Sequence, residues 1–386
     1  MIDALIIGGG PAGLMAADVL SADGHSVILT DAMPTVGRKF LMAGKSGLNL
    51  TKSESSEIFE QAFDARAALS PILADFGPAD VVAWAEGLGQ PVFTGSTGRV
   101  FPNAMKASPL LRAWLARLRD QGVDIRTRWR WVGWDGVDAS FDTPQGAATV
   151  TAKTTVLAMG GASWKRLGSD GKWAGQFLDA VAPFQPVNMG FVVDWSDHMT
   201  PHFGSAVKGC KLSAGNLTSR GEFVVSAKGI EGGGIYSVST AMRDGAVLEI
   251  DLLPDMSRDA IAAHLNAAGR KQSLSNTLRK TLKLDGVKRA LFNEFGRTDD
   301  RALLNKIKAL RLPVRGPRPM DEAISTSGGM RFDALTPDLM LRARSGVFCA
   351  GEMLDWAAPT GGYLINGCLA TGRWVGHAAA RYLQTL

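Results

Sequence analysis

Cysteine is scarce: Cys210, Cys349 and Cys368 are three residues in 386, far apart in the chain and odd in number. That scarcity excludes a small fold stapled by disulfides, and without a CxxC pair or a Cys/His cluster no structural metal is expected. No stretch reaches the roughly 18 consecutive apolar residues of a membrane-spanning helix. Charged residues are 20% and hydrophobic ones 46% of the chain, ordinary values for a globular protein. A soluble, cytoplasmic protein with no membrane partner is the expectation. The opening MIDALIIGGGPAGLMAADVL is apolar but lacks a basic leading segment and carries Asp3 and a glycine cluster. It reads as the first strand of a fold, not as a leader.

What is present begins at that strand. DALIIGGG, PAGLMAADVLSADG and HSVILTDA read as strand, glycine turn with helix, and strand, a βαβ unit of the kind that opens an α/β domain. Within it, Gly8-x-Gly10-x-x-Gly13 with Ala17 stands between strand and helix, and Asp31 closes the second strand. Each position has a mechanical role in dinucleotide binding. Gly8 allows the tight turn, Gly10 lets a pyrophosphate approach the backbone, Gly13 and Ala17 permit close packing, and Asp31 is placed to accept from an adenosine ribose. Unpaired amides and the dipole at the helix start favour phosphate.

Two later stretches read as further cofactor contacts. TTVLAMGGAS, 154–163, is a strand followed by Gly160 and Gly161; GVFCAGEMLDWAAPTGGYLINGCLATG, 346–372, offers Gly351 and Glu352, then Gly361 and Gly362 opening a helix. They resemble the flavin-contact segments of the glutathione-reductase-like FAD fold. In that reading Glu352 holds the ribityl chain, and the amides of Leu364 and Ile365 face the flavin edge where reduced flavin carries negative charge. Together with GRKFLMAGKSGLNLT, TGRVFP (97–102) and KGIEGGGIY (228–236), these motifs resemble the BaiN/RdsA (YhiN-like) NAD(P)/FAD-dependent flavoprotein family over nearly the full chain. The chain is most similar to the branch with GLNLT. Other branches carry a cysteine before the loop asparagine, where Leu48 stands here, and an Asn after GGY, where Leu364 stands.

The resemblance implies FAD contacts at Ala12, Asp31, Arg38, Val132 (through its main chain, near adenine), Glu352, Leu364 and Ile365, with Lys39 beside Arg38. It implies a Rossmann-type FAD domain split by an inserted β-barrel and a small helical piece. It also implies reduction of a conjugated C=C bond, in steroid-like enones for some members and in uridine of ribosomal RNA for others. Patterning divides the chain similarly: an FAD domain at 1–188 and 318–386, a strand-rich insert at 189–256, and a helical insert at 257–317. No Cys-x4-Cys pair follows the first helix, which excludes a disulfide reductase mechanism. No second strand–GxGxxG–helix unit appears, so NAD(P)H is expected as a transient reductant or is replaced by a protein donor.

Saturating a C=C conjugated to a carbonyl requires hydride at the β-carbon and a proton at the α-carbon. Lys45, Asn49, Asp355 and Tyr363 flank the flavin motifs and are the candidate donors; His198 and His202 share the loop DHMTPHFG and are weaker ones. The segment 257–320 holds fifteen Lys/Arg against five acids, a net +10 in a chain whose total is +5. Such a concentration of one sign is expected to meet a polyanion, and ribosomal RNA is the partner inferred. None of the ten tryptophans falls there, so phosphate docking is expected rather than base stacking. Uridine-to-dihydrouridine reduction is the leading reading. A small-molecule enone reductase and a non-catalytic flavin-bearing RNA-binding factor stand as alternatives. Oligomeric state is not legible.

Overall fold

The computed structural model describes residues 1–43, 47–267, 274–284, 286–296 and 303–386. They form two compact units, Met1–Gln185 with Ser325–Leu386, and Pro186–Ile324 between them in the chain. The division falls at 185/186 and 324/325, not at the expected 188/189 and 317/318.

The first unit is built on a five-stranded parallel sheet in the order Val347–Cys349, Ala152–Leu157, Ile2–Ile7, Val27–Asp31, Asp124–Thr127. Residues 4–7, 27–30 and 154–157 of its central strands are buried at every position because both faces are covered, as a parallel sheet requires. The helix Pro11–Ala22 packs against the long C-terminal helix Tyr363–Leu383. Small residues allow the approach: a Cβ on Gly372 would stand 2.3 Å from the Ala12 carbonyl, and one on Gly376 would stand 2.8 Å from Val19. The amphipathic helix Ala107–Asp120 buries Leu110, Leu111, Trp114 and Leu118, and the Trp114 indole N–H donates to Asp18 at 2.9 Å.

The segment 56–120 is mostly helical and also contains the hairpin Val92–Thr94 and Arg99–Pro102. The stretch GRKFLMAGKSGLNLT begins with the helix Arg38–Ala43, where Phe40 is buried and holds one face to the core. Within 124–157, Asp124–Thr127 and Ala152–Leu157 join the parallel sheet, while Arg130–Asp135, Asp138–Thr143 and Gly146–Val150 form an antiparallel trio.

In the second unit, where a β-barrel is expected, the described residues form two antiparallel sheets of five and four strands. The strands Leu310–Leu312 and Gly316–Pro317, expected in the helical piece, pair with Leu248–Asp251 and Phe191–Val192. Helices Arg258–Ala267, Leu274–Lys280, Gly286–Phe295 and Leu303–Lys308 share one core with both sheets: Ile261, Leu278, Leu291 and Ile307 pack with Phe191, Leu212, Phe223 and Ile250. A separate helical subdomain at 257–317 is therefore not what forms.

The charge argument changes with the packing. Lys308 pairs with Asp251 at 2.6 Å, Arg311 with Glu249 at 3.0 Å, Arg315 with Asp194, and Arg318 with Glu231 and Glu322. Those acids lie outside the segment in which the +10 was counted. Lys288 is buried and donates to the carbonyls of Gly209 at 2.7 Å and Leu252 at 3.0 Å. Sign alternation that is absent along the sequence is thus supplied through space. Arg279, Lys280 and Lys283 stay exposed, while Arg270, Lys271, Arg297 and Arg301 lie outside the described residues.

Candidate functional site

A cleft of about 350 Å³ opens in the first unit at the C-terminal ends of the parallel strands, where open α/β sheets bind ligands. Its floor is the turn after the first strand. Gly8 has φ +113°, and a Cβ there would stand 2.2 Å from the Ala158 carbonyl; a Cβ on Gly13 would stand 1.9 Å from the Gly8 carbonyl. Both glycines are therefore required by the protein's own packing. Gly10 differs: a Cβ there meets nothing within 4 Å and would project into open space. That space beside the helix N-terminus is where a pyrophosphate fits.

Asp31 accepts from the Gly9 amide at 3.0 Å on one oxygen and from the Met33 amide at 2.7 Å on the other. It thus ties the glycine turn to the end of its strand, while its remaining lone pairs suit ribose hydroxyls. Burial pushes its carboxyl above the usual range against those two amide bonds and the nearby charges of Arg38 and Arg130. Arg38 and Lys39 line the same cleft. Lys39 Nζ donates to Glu352 at 2.6 Å and to Ser163 Oγ at 2.9 Å, and Thr326 N–H donates to the other Glu352 oxygen at 3.2 Å. The buried Arg38 Nε has no partner among the described residues.

Val132 also lines the cleft, and the register explains why its main chain is open. Trp131 pairs with Phe141 and Gly133 with Ser140, so Val132 is the extra residue of a β-bulge, outside the ladder. Its carbonyl accepts a long 3.4 Å bond from the Gln176 side chain. Gly160, with φ +73°, Gly351, Ala12 and Cys368 complete the wall. Gly161 faces away, its Cβ position 2.2 Å from Thr326 Oγ1.

Leu364 and Ile365 lie one helical turn before Cys368 and so continue its face. The first helical bond there runs from Asn366 N–H to the Gly362 carbonyl, which leaves the preceding amides outside the helix ladder. Gly362, at φ +102°, is pressed against Thr51, where a Cβ would stand 2.5 Å from the Thr51 backbone. The GLNLT segment is therefore seated on the start of this helix, and Thr51 Oγ–H donates to Asn366 at 2.7 Å. Asn49 Oδ1 is buried without a partner among the described residues, an acceptor suited to a ligand N–H.

The expected proton donors separate. Lys45 lies outside the described residues. Asp355 accepts from the Gly328 amide at 2.9 Å and so braces the strand Ser325–Met330. Tyr363 Oη donates to Glu54 at 2.5 Å and accepts from Lys52 Nζ at 3.0 Å, with Lys52 and Glu54 paired at 2.7 Å. Burial first, then the Glu54 bond, pushes the phenol up, so it keeps its proton at neutral pH. Lys52 and Glu54 carry no motif signal and escape a reading of the sequence; only the helix–strand contact brings them to Tyr363. His198 and His202 belong to the second unit and line a cavity of their own.

Orphaned Arg38 Nε, the cradle that a Cβ at Gly10 would fill, the bulged Val132 and the helix start at Gly362 fit an adenylate–pyrophosphate–flavin ligand. Fold and site define a Rossmann-type, FAD-dependent oxidoreductase. The chain belongs to the family described as HI0933-like protein Rossmann domain, which matches residues 2–378. It is 27% identical to a 3-dehydro-bile acid delta(4,6)-reductase of Clostridium scindens, over 97% of this chain and 98% of that protein. It is 24% identical to a ribosomal RNA dihydrouridine synthase of Escherichia coli, over 94% of each. Among solved structures, a flavocytochrome c3 fumarate reductase aligns with TM-score 0.56 and 16% identity, over 99% of this chain and 78% of that one. A 3-ketosteroid-delta4-(5alpha)-dehydrogenase from Rhodococcus jostii RHA1 aligns with TM-score 0.54 and 17% identity, over 98% and 96%. These two likenesses show the fold. No helix among the described residues is long and apolar enough to cross a membrane.

Proposed function

We propose that the protein reduces a C=C bond conjugated to a carbonyl, with NAD(P)H as electron source, and that its substrate is uridine in ribosomal RNA, giving dihydrouridine. The supporting observation is chemical. Two relatives that it matches along nearly their whole length carry names that describe saturation of such a bond, in a 3-dehydro-bile acid and in uridine. Bound FAD supplies the hydride that such a bond accepts. The chain's own residues bind and orient: the Gly10 cradle and Arg38 take the pyrophosphate, Asp31 the ribose, and the Val132 backbone the adenine. Glu352, held by Lys39 and Thr326, presents a fixed acceptor to the ribityl chain. Leu364 and Ile365 amides offer donors to the charge that builds on the reduced ring.

Tyr363 Oη is the proton donor in this reading, because it alone of the three described candidates combines a retained proton with a relay behind it. As it gives up that proton, the Lys52 ammonium stabilises the phenolate, and the Lys52–Glu54 pair returns a proton to it. Tyr363→Phe should leave FAD content and flavin reduction by NAD(P)H unchanged while slowing the substrate half-reaction about 10²-fold or more; equal loss in both half-reactions would refute the assignment.

Exposed Arg279, Lys280 and Lys283 support RNA as substrate. The internal pairing of Lys308, Arg311, Arg315 and Arg318 favours a second reading, a small-molecule enone reductase. Nucleoside mass spectrometry of ribosomal RNA from a deletion strain separates the two: a lost dihydrouridine supports the first. Unchanged RNA, with NAD(P)H oxidation driven by a steroid-like enone, supports the second.

A further inference from the structure

A second cavity, about 310 Å³ in volume, lies within the inserted unit and shares no lining residue with the cofactor cleft. One wall is the helix Gly286–Phe295, the other the short turn Asp197–His202. Val287, Leu291 and Phe292 bury one face of that helix, so Arg289 and Asn293, at i+3 and i+7 from Gly286, share the face that lines the cavity. Glu294 fixes the opposite wall: Ser196 N–H donates to one of its oxygens and Ser196 Oγ–H to the other, each at 2.7 Å. His198 and His202 are thereby brought to the same space.

The hydrogen-bonding inventory is lopsided. Arg289, Asn293 and two imidazoles offer donors, and the lining carboxylate, Glu294, already has both oxygens engaged by Ser196. Arg311, Arg315 and Arg318 each meet an acid, whereas Arg289 meets none among the described residues. A guanidinium flanked by neutral or cationic donors in a partly buried recess suits a phosphoryl group. The volume is at the small end for ligand pockets, about 300–1,000 Å³, which leaves room for a nucleotide's phosphate with part of its sugar.

We propose that this cavity is a phosphate site that seats one phosphodiester of the RNA substrate. The identity of the occupant rests on the RNA reading above; the anion chemistry of the site does not. The test uses the FAD-loaded full chain. Inorganic phosphate is titrated at constant ionic strength while the imidazole C–H resonances of His198 and His202, assigned through His198→Gln and His202→Gln, are followed by NMR. Both are expected to shift saturably. Arg289→Ala should weaken phosphate at least tenfold and Arg289→Lys should recover part of the loss, with FAD content and Tm unchanged.

A ribosomal RNA hairpin and NADP⁺ are then added separately as competitors. Displacement of phosphate by the hairpin, lost in Arg289→Ala, supports the proposal. Displacement by NADP⁺ but not by RNA overturns it as to occupant. No saturable shift, or the same shift in Arg289→Ala, overturns the site itself. The last outcome leaves the nucleoside assay free to support uridine reduction, so the two readings fail separately.

Discussion

Gly10 and Gly13 are chemically identical and three residues apart, yet they serve different ends. A side chain at Gly10 enters open space reserved for ligand, whereas one at Gly13 collides with the Gly8 carbonyl. Gly10→Val should therefore purify folded but colourless, with a native circular dichroism spectrum and no bound FAD. Gly13→Val should lose stability by about 1–3 kcal/mol or more, read from urea denaturation. Asp31 adds a pH dependence with a defined sign. Its carboxyl is raised above the usual range by burial, and ribose hydroxyls bind the ionised form, so protonation competes with FAD. FAD affinity should fall on acidification at a pH above the ordinary Asp value of about 3.9, and Asp31→Asn, weaker throughout, should lose that dependence. The thiols have no such role. Burial pushes Cys349 up strongly, and burial with the Glu352 charge pushes Cys368 up to about 12. A protein with all three cysteines changed to serine should keep NAD(P)H-driven flavin reduction, measured by bleaching of the flavin absorbance, at some cost in stability.

At the scale of elements, the packed first and last helices each lend a residue, Ala12 and Cys368, to the wall of the cofactor cleft. The N-terminal helix presents Ala12 and Val19, and the C-terminal helix presents Gly372 and Gly376 against them. Adding a methyl at Gly372 places it 2.3 Å from a backbone oxygen, which no rotamer change relieves. Gly372→Ala should destabilise by about 1–3 kcal/mol, seen as a lower urea midpoint with the slope unchanged. Because Ala12 also lines the cleft, FAD should dissociate faster from that variant. The same C-terminal helix carries Tyr363 at its first turn and Cys368 one turn on, so the cleft wall and the proposed proton donor share one element.

At the scale of the molecule, charge is distributed in space and not along the chain. The segment with net +10 folds into a unit whose acids come from strands elsewhere in it, leaving Arg279, Lys280 and Lys283 as an exposed cluster beside buried Leu278 and Leu282. Reversing those three to Glu should leave FAD content and folding intact and weaken RNA binding. Log K should fall against log salt with a slope of about −0.7 to −0.9 per phosphate neutralised, and the triple variant's slope should be shallower by about 2 to 3. A variant that reduces RNA uridine at wild-type rate under limiting RNA would show the cluster to be only a solvated face.

The cofactor side of this protein was legible in the residues because glycine motifs encode backbone geometry, and backbone geometry is local. Gly8, Gly10, Gly13 and Asp31 act within one βαβ unit, and Gly351, Glu352, Gly361 and Gly362 act at the ends of a strand and a helix that periodicity reveals. The sequence also excluded redox thiols, since no cysteine pair exists. What depends on contacts between distant segments had to wait for the fold: the bulge that opens Val132, Lys52 and Glu54 behind Tyr363, the Lys39–Glu352 pair, and the strands 310–312 and 316–317 that belong to sheets begun more than fifty residues earlier. Charge pairing belongs with these. Coulomb energy depends on distance in space, and a count along the chain records only the charges, not which opposite charges folding brings within a few ångströms of them.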